Sequence, residues 1–401
     1  MRAVIVTSST SYEPRAEKVG HFLEACGYQV LWLESDFNHR EKRKEQRQLT
    51  GHQYVDTVPY RKNLSVRRLY SQYDFARKVF RILKDQTADL LYVLIPANSL
   101  TPVAARIKKR CHARLVVDII DLWPESLPVK GLERFWPVQY WRKLRDDYLG
   151  AADLVLTECK FYQELLELDR RPEIRRTGVM YWPKEKEAGD GPAWEPDKGW
   201  QTGDGFRTDR EALQDSSRLH IAYLGSINHI IDMELIVDIL RFVDQKKKVR
   251  LHVIGDGESR EVFLEKLEAQ GIETEYYGIL YEEEKKQKIF QQCSFGINVM
   301  KESVRVGLTM KSVDYFCYGL PLINNIQGDT WKLIRQYDIG VNCGREDPEG
   351  CAEKIVEVSE TIQEKRGLIR KLYEELFTQE AMENVLRQEV LPLLAEKEAD
   401  R

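Results

Sequence analysis

The sequence predicts an α/β protein made of two doubly wound domains in tandem. At 401 residues the chain is longer than one hydrophobic core usually supports, so we expect two domains of about 150 to 200 residues each. Strand-like runs alternate with helix-like runs through both halves, which is typical of parallel strands joined by helical crossovers. A polar stretch near the middle of the chain separates the two series.

The strand predictions rest on short runs of β-branched and aliphatic residues bounded by turn residues. In the first half these runs are residues 3–8, 28–34, 90–97, 114–120 and 154–158. In the second half they are residues 219–224, 249–254, 274–277, 295–300 and 321–324. Helical periodicity fills the gaps, for example at residues 15–25, and continues through residues 350–395.

A change in composition sets the domain boundaries. Residues 184–218 are rich in charge, contain several Gly and Pro and lack apolar periodicity, which predicts an irregular linker or insertion. We therefore expect an N-terminal domain at 1–183 and a C-terminal domain at 219–378. The last segment, 379–401, is predicted to be a helix that packs back on the N-terminal domain.

The overall composition argues against several classes of protein. The chain has no apolar run long enough for a membrane span. Its first nine residues fit a buried strand better than a signal peptide, which predicts a cytoplasmic protein. The seven cysteines are scattered singly, so we expect neither a disulfide framework nor a metal site. A net charge of −4 gives no general attraction to nucleic acid.

Two segments of the N-terminal half mix basic and aromatic residues. Residues 61–84 carry eight Lys or Arg against a single Asp, with Tyr and Phe between them. Residues 132–148 combine Phe and Trp with Arg and Lys. Each pattern predicts either an ordinary solvated or core-packed helix, or a surface for a membrane or a phosphate-bearing acceptor. The sequence alone leaves both interpretations open.

The strongest local signal is the segment GLTMKSVDYFCYGLP, residues 307–321. It places a glycine loop ahead of a helix, with Thr309 as the predicted N-cap. Backbone N–H groups and the helix dipole would bind a diphosphate there, and Lys311 adds a full charge. Asp314 shares a helical face with Lys311, so one ligand with a phosphate and a ribose fits both. The alternative is a surface ion pair behind an ordinary loop.

Two further glycine loops follow strands of the same domain. The segment LHIAYLGSIN carries Gly225, Ser226 and Asn228 after its strand, and the segment VIGDGE carries Gly255 and Gly257. Because the carboxyl ends of parallel strands lie at one edge of a sheet, all three loops should open on the same side. One such loop is usually only a tight turn, whereas three in one domain indicate a ligand site.

In this order, the segments GSI, VIGDG, YYGIL and GLTMKSVDYFCYGLPLI resemble the C-terminal domain of the family 4 glycosyltransferases. The resemblance implies a GT-B fold, in which two Rossmann-like domains face each other across a cleft, and a nucleotide-sugar donor, most commonly a UDP-sugar. It also assigns residues of this chain to the donor. Those expected to hold the diphosphate and ribose are Gly307, Leu308, Lys311 and Asp314, and those expected to contact the base are Leu280 and Tyr281.

The chain departs from the family pattern in two places. Val306 stands where many members carry an acidic residue that contacts the transferred sugar. Ser226 and Asn228 stand in the loop where many members have an Arg and a Lys for the diphosphate, and Lys301 or Arg305 is the candidate replacement. These departures keep open a non-catalytic partner subunit with the same fold.

The segment VVDIIDLWPES, residues 116–126, resembles the Asp-Leu-Trp-Pro-Glu-Ser segment of family 4 enzymes that build bacterial surface polysaccharides. In those enzymes a nearby acidic or His residue contacts sugar hydroxyls. Asp121 is the leading candidate for that contact here. The further candidates on the acceptor side are Asp118, Glu125 and, in the polar loop after the first strand, Ser9 and Thr10.

The resemblance implies a transferase that retains the anomeric configuration and needs neither a metal nor a cofactor beside its nucleotide-sugar co-substrate. Lys311 would stabilise the departing diphosphate, and Asp121 would orient the acceptor. We expect a hexosyl group to move to a saccharide or lipid-linked acceptor in surface polysaccharide synthesis, in the cytoplasm at the inner face of the cell membrane. A nucleotide-sugar epimerase of the same fold is a further alternative.

Overall fold

The structure is a computed structural model that describes residues 1–39, 41–46, 49–63, 65–125, 131, 134–185 and 218–399. Most of the predicted linker, residues 186–217, lies outside the described residues. So do Ser126, at the end of the predicted acceptor segment, and residues 132 and 133, at the start of the second aromatic and basic segment.

The chain forms two compact units. The first comprises Met1–Trp182 and Gln379–Arg401, and the second comprises Pro183–Thr378. The terminal segment belongs to the first unit because its buried Met382 and Leu386 share one hydrophobic cluster with Ile5 of the first strand. Removing such aliphatic side chains from water stabilises this arrangement.

The described residues of the first unit form strands and helices in alternation. The strands are β1 (Arg2–Thr7), β2 (Gln29–Ser35), β3 (Phe37–Asn38), β4 (Arg43–Lys44), β5 (His52–Val55), β6 (Leu90–Ile95), β7 (Arg114–Ile119), β8 (Leu154–Thr157) and β9 (Thr177–Val179). The helices are α1 (Glu13–Ala25), α2 (Val66–Leu83), α3 (Leu100–Cys111), α4 (Trp136–Asp146) and α5 (Lys160–Leu165). Short 3-10 turns lie at Thr10–Tyr12, Leu149–Ala151 and Leu168–Arg170.

The second unit repeats this alternation. Its strands are β10 (Arg218–Leu224), β11 (Lys248–Ile254), β12 (Glu273–Gly278), β13 (Phe295–Asn298), β14 (Leu322–Asn324) and β15 (Gly340–Asn342). Its helices are α6 (Met233–Lys246), α7 (Arg260–Ala269), α8 (Glu283–Gln292), α9 (Met310–Cys317), α10 (Asp329–Tyr337), α11 (Pro348–Ser359) and α12 (Ile362–Leu376). The chain then returns to the first unit with α13 (Gln379–Val385), a π-helical turn (Leu386–Val390) and α14 (Leu391–Ala399).

Each unit contains one parallel sheet, so the predicted doubly wound fold is confirmed. Among the described residues, the strand order is β5-β2-β1-β6-β7-β8-β9 in the first unit and β12-β11-β10-β13-β14-β15 in the second. β6 is buried along its whole length, as expected for a central strand covered on both faces. The sequence analysis missed the edge strands β5, β9 and β15, whose short runs carry little periodicity.

The two sheets share one topological feature that locates ligand sites. The strand order reverses between β1 and β6 in the first unit, and between β10 and β13 in the second. In open parallel sheets, ligands bind beyond the carboxyl ends of the strands at such a reversal. Within the described ranges, no helix combines the length and apolar character needed to cross a membrane.

Candidate active site

The glycine loops of the second unit pack against each other through their backbones. A Cβ atom at Gly255 would lie 1.9 Å from the carbonyl oxygen of Gly225, and one at Gly257 would lie 2.3 Å from that of Ile227. Side chains therefore have no room at Gly255 and Gly257. A Cβ atom at Gly225 would lie 3.9 Å from the Cδ atom of Lys311, so this glycine wall adjoins the start of α9.

The start of α9 is held by a buried asparagine. Thr309 is the N-cap, as predicted, because its hydroxyl accepts a hydrogen bond from the Ser312 N–H at 3.2 Å. The Thr309 hydroxyl donates to Oδ1 of Asn298 at 3.1 Å, and Nδ2 of Asn298 donates to the Ser312 hydroxyl at 2.8 Å. The Gly307 carbonyl accepts the N–H of Thr330 at 3.0 Å. The first N–H groups of the helix lack intrahelical acceptors, which makes this fixed terminus a suitable anion site.

Asn298 belongs to an asparagine ladder across the carboxyl ends of β13, β14 and β15. Asn298 is in register with Asn324, and Asn324 is in register with Asn342. Nδ2 of Asn298 donates to Asn324 at 3.1 Å, and Nδ2 of Asn324 donates to Asn342 at 2.8 Å. These bonds satisfy buried amides that would otherwise be costly. The sequence analysis missed the ladder, although an Asn at the end of each strand was its signal.

Lys311 is a buried cation without a carboxylate partner among the described residues. Its side chain is 9% exposed, and its Nζ atom lies 5.1 Å from the centre of the Tyr223 ring. Burial lowers the pKa of Lys311 to about 8. The alternative prediction of an ion pair with Asp314 is therefore wrong. A buried charge is costly unless it is paired, so an anionic ligand would stabilise this site.

Asp314 lies one turn further along α9 and has a different partner. Its carboxylate lies 3.1 Å from Nζ of Lys184, which also lies 3.2 Å from Glu283. The Tyr318 hydroxyl donates to the other oxygen of Glu283 at 2.8 Å. Burial lowers the pKa of Lys184, but the two carboxylates outweigh it and raise that pKa. Lys184 is distant in sequence, so the sequence analysis missed this neighbour of the predicted ribose ligand.

The remaining predicted donor residues differ in exposure. Tyr281 follows β12 and is 85% exposed, so its ring is open to stacking with a base, and Leu280 beside it is half-buried. Ser226 is exposed, whereas the Asn228 side chain accepts a backbone N–H of its own loop at 3.1 Å. Leu308 is buried beneath the helix start. Base stacking by Tyr281 stays a prediction.

The first unit contains a cavity of about 270 Å³ at the carboxyl ends of its central strands. Asp121 and Ser9 line it, whereas Thr10 does not. The hydroxyl of Tyr12 lies 3.5 Å from the Asp121 carboxylate, and burial together with Asp121 raises the pKa of Tyr12. The cavity is also lined by Tyr60, Asn63, Arg68, Ser71, Gln72 and Trp123.

Asp118 and Glu125 have structural partners instead of facing this cavity. Asp118 is fully buried on β7, and its two oxygens accept hydrogen bonds from Nε and Nη2 of Arg15 at 2.8 and 3.0 Å. The Glu125 carboxylate accepts two hydrogen bonds from the buried Arg145, at 2.7 and 3.1 Å. An unpaired buried arginine is costly, so these carboxylates stabilise Arg15 and Arg145, and Nε of Arg145 also donates to Asp146 at 2.8 Å. The expectation that Asp118 and Glu125 contact the acceptor is not supported by these positions.

Arg68 was grouped with a basic surface in the sequence analysis, but it lines the cavity. On the same helix, Arg77 and Lys78 are instead paired with Asp74 at 2.9 and 2.8 Å. Helical periodicity was the available signal, because Arg68 is seven residues before the buried Phe75 and so shares the inward face of α2.

The comparison with protein families matches the part of the chain that carries the glycine loops and α9. Residues 218–361 match the family model described as Glycosyl transferases group 1. The matched segment makes up most of the second unit. The matched segment contains Gly225, Gly255, Gly307, Lys311 and Asp314, which lie together at or near the strand reversal. No curated protein matches the sequence.

Solved structures similar to the whole chain share its two-unit fold. A sucrose-phosphate synthase from Thermosynechococcus elongatus has a TM-score of 0.68 and 12% identity, covering 99% of this chain and 100% of that chain. The lipopolysaccharide outer core galactosyltransferase WaaB has a TM-score of 0.61 and 15% identity, with coverages of 97% and 99%. HepE from Anabaena, in complex with UDP-glucose, has a TM-score of 0.57 and 12% identity, with both chains covered at 100%.

These low identities show the fold alone, and that fold is GT-B, as the resemblance implied. The family match at residues 218–361 is the comparison that bears on activity. Together the comparisons support a glycosyltransferase.

Proposed function

We propose that the protein transfers a hexosyl group from a nucleotide-sugar, held by the second unit, to an acceptor held by the first unit. The observation that carries this proposal is Lys311, a buried cation without a carboxylate partner in the described part of the chain, at the fixed start of α9. A diphosphate would pair with Lys311 and with the helix N-terminus. The glycine wall beside Lys311 leaves room for the ligand to approach the backbone.

The donor we favour is a UDP-sugar. Solved structures of similar fold contain UDP and UDP-glucose, as in HepE from Anabaena. In this chain Tyr281 would stack on the base, and Asp314 would accept hydrogen bonds from the ribose hydroxyls. The pairing of Asp314 with Lys184 orients its carboxylate, because a charge-assisted contact restricts the side chain.

The chemistry we propose is retaining and independent of metal. The bond between the anomeric carbon and the diphosphate oxygen breaks, and Lys311 with the helix dipole stabilises the negative charge on the departing diphosphate. The acceptor hydroxyl attacks the same face of the sugar and gives its proton to the leaving group. Asp121 orients the acceptor in the cavity of the first unit and is not required as a strong base.

The acceptor class we propose is a saccharide or lipid-linked saccharide of surface polysaccharide synthesis. The first unit exposes apolar and aromatic side chains near the starts of α2 and α4, which both pack on α3 and so lie on one face of the sheet. These side chains are Val66, Tyr70, Tyr73, Phe135, Trp136 and Tyr140. Exposed aromatic residues beside basic residues suit a membrane interface.

Sedimentation with vesicles tests the membrane contact. Arg61, Lys62 and Arg67, all exposed near the start of α2, are changed together to Glu. Each basic residue near anionic lipid contributes about 1 kcal/mol, so this variant should stay in the supernatant when the wild type sediments with anionic vesicles. Reversal of three exposed lysines of the second unit, Lys288, Lys354 and Lys371, is the matched control. Equal recovery of all three proteins in the supernatant would argue for a soluble acceptor.

Thermal stabilisation by a panel of nucleotides tests the donor site. A ligand at 100 times its dissociation constant adds about 2.7 kcal/mol to the free energy of unfolding. We expect UDP to stabilise the wild type and not a Lys311→Ala variant. Stabilisation by no nucleotide would refute the donor proposal. Stabilisation without sugar transfer or hydrolysis would favour the non-catalytic partner subunit, which the departure at Val306 already suggests.

A further inference from the structure

Arg68 lines the cavity of the first unit, and Lys42 contacts two of the lining residues, Tyr60 and Asn63. Neither cation has a carboxylate partner among the described residues. Arg68 lies with its guanidinium 5.5 Å from the centre of the Trp123 ring, and its Nη1 donates to the Asn63 carbonyl at 3.2 Å. Its buried Nε has no hydrogen-bond partner in the described ranges. Lys42 lies 4.9 Å from the centre of the Tyr60 ring and donates to the Asn63 side chain.

The two cations act on each other. Burial and the nearby Arg68 lower the pKa of Lys42. The free energy cost of bringing like charges together falls when an anion binds between them. Phosphate is the anion that suits an arginine fork beside a lysine, since it accepts several charge-assisted hydrogen bonds. Elsewhere on α2, a basic side chain such as Lys78 has its own carboxylate, so the arrangement at Arg68 is not a general property of this helix.

The cavity wall also contains neutral polar atoms that lack partners. Within the described residues, Oγ of Ser71, Oε1 of Gln72 and Nε1 of Trp123 are buried and make no hydrogen bond. All three side chains are more than nine-tenths buried. A buried polar atom without a partner costs about 1–3 kcal/mol. A ligand with several hydroxyl groups would supply the missing donors and acceptors, as a sugar or polyol does.

Asp121 gives the cavity a second, negative region. A carboxylate accepts hydrogen bonds from sugar hydroxyls and repels phosphate. A ligand with a phosphate near Arg68 and hydroxyls near Asp121 therefore has one preferred orientation. The volume of about 270 Å³ suits a single sugar unit, because pockets for drug-sized ligands begin at about 300 Å³.

We propose that this cavity is an acceptor subsite for a sugar or polyol that carries a phosphate group, with Arg68 and Lys42 binding the phosphate and Asp121 the hydroxyls. The proposal rests on the proposed glycosyltransferase function and names the chemical class of its acceptor. The phosphate of a soluble sugar phosphate and the phosphate of a lipid carrier are recognised by the same chemistry.

Calorimetric binding to the full chain tests the subsite. The probes are inorganic phosphate, glucose, glucose 6-phosphate, and phosphatidylcholine vesicles with and without phosphatidic acid. We expect glucose 6-phosphate to bind more tightly than glucose, and Arg68→Gln to weaken that binding at least about tenfold. Lys42→Gln, at the rim, is a second variant with the same expected direction. Arg81→Gln removes one exposed charge from the far end of α2 and should leave binding unchanged.

Different outcomes of this experiment show whether the subsite exists and whether its phosphate belongs to a lipid. Binding of phosphatidic acid vesicles alone, lost in both variants, would support a lipid-borne phosphate. Equal binding of glucose and glucose 6-phosphate, or binding that neither variant weakens, would overturn the subsite. A Lys311→Ala variant should still bind glucose 6-phosphate. Stabilisation by UDP, measured on the same samples, reports separately on the proposed function.

Discussion

The two units present candidate ligand-binding edges at the same point of the same sheet topology, but one edge is built mainly from backbone and the other from side chains. In the second unit the edge consists of backbone, with glycine loops packed on each other and a fixed helix start, and Lys311 is its main charged side chain. In the first unit the edge is a cavity lined by side chains from several loops and from α2, including Arg68 and Asp121.

This difference fits the ligand that we propose for each edge. Every nucleoside diphosphate sugar carries the same diphosphate, and backbone N–H groups bind it only where glycines let the chain approach closely. Such a site requires fixed residues at fixed spacings, and the family match at residues 218–361 lies in that unit. Side chains around a cavity can change without moving any strand, which suits acceptors that differ between transferases.

The largest expected effect is at the main charged group of the backbone-built edge. Lys311→Ala should lower turnover at least tenfold, because it removes a charge-assisted contact of about 1.5–3 kcal/mol to the departing diphosphate. Steady-state rates with a UDP-sugar, or hydrolysis of that donor, would measure it. The control is Lys354→Ala, an exposed lysine of the same unit. An unchanged rate in a folded Lys311→Ala variant would show that the diphosphate binds elsewhere.

The next prediction concerns the glycine wall itself. Gly255→Ala places a Cβ atom 1.9 Å from the Gly225 carbonyl, whereas Gly271→Ala meets no atom within 4 Å, and both have positive φ. Gly271→Ala should cost about 1–2 kcal/mol through backbone strain, and Gly255→Ala should cost at least about 1–3 kcal/mol more through overpacking. Denaturant unfolding measures both. Equal stability of the two variants would mean that the loops shift apart easily and do not form a rigid wall.

A smaller effect is expected where side chains complete the donor site. Asp314→Asn should raise the donor KM by roughly three- to tenfold, because a neutral amide accepts ribose hydroxyls less strongly than a carboxylate. Glu283→Gln alters the other carboxylate that contacts Lys184 and should leave KM nearly unchanged. If both variants raise KM equally, Asp314 acts through Lys184 and not on the ribose. EDTA should not change the activity of the wild type or of either variant. Loss of activity in EDTA that manganese restores would indicate a metal-dependent transferase.

The titration of Lys311 should have the smallest effect near neutral pH, and it should appear in the Kd of the nucleotide. Its pKa of about 8 means that the free protein loses this positive charge as the pH rises above about 8. Nucleotide binding favours the charged form, so the Kd should be flat below that pH and rise by up to about tenfold per pH unit above it. Lys311→Arg keeps its charge and should show no such rise. A wild-type Kd that stays flat to pH 9.5 would contradict the assignment.

The same titration weakens nucleotide binding as the pH rises but increases the stability of the ligand-free protein. The unfolded chain, with an ordinary lysine pKa, binds more protons between about pH 8 and 10.5 than the folded chain does. The contribution of Lys311 to the free energy of unfolding therefore rises through that window. The difference in stability between the wild type and Lys311→Arg, measured across the window, isolates this contribution.

The sequence by itself determined the features that depend on neighbouring residues. Alternating strands and helices predicted both sheets, and the glycine spacing with Thr309 and Lys311 predicted a capped helix start beside glycine loops. These signals are local because a turn, a cap or a helical face involves residues only a few positions apart. Short edge strands such as β15 were not predicted, because three residues carry too little periodicity.

Only the tertiary structure decided which charges have partners. In sequence, Asp118 and Asp121 are equivalent carboxylates near the end of one strand, yet Arg15 binds the first and the second lines a cavity. Likewise Lys311 and Asp314 have the spacing of a helical ion pair, yet Lys311 is buried without a carboxylate partner among the described residues and Asp314 binds Lys184. The reason is physical, because burial and pairing depend on which residues the folded chain brings together from distant positions, and those set the free energy of each charge.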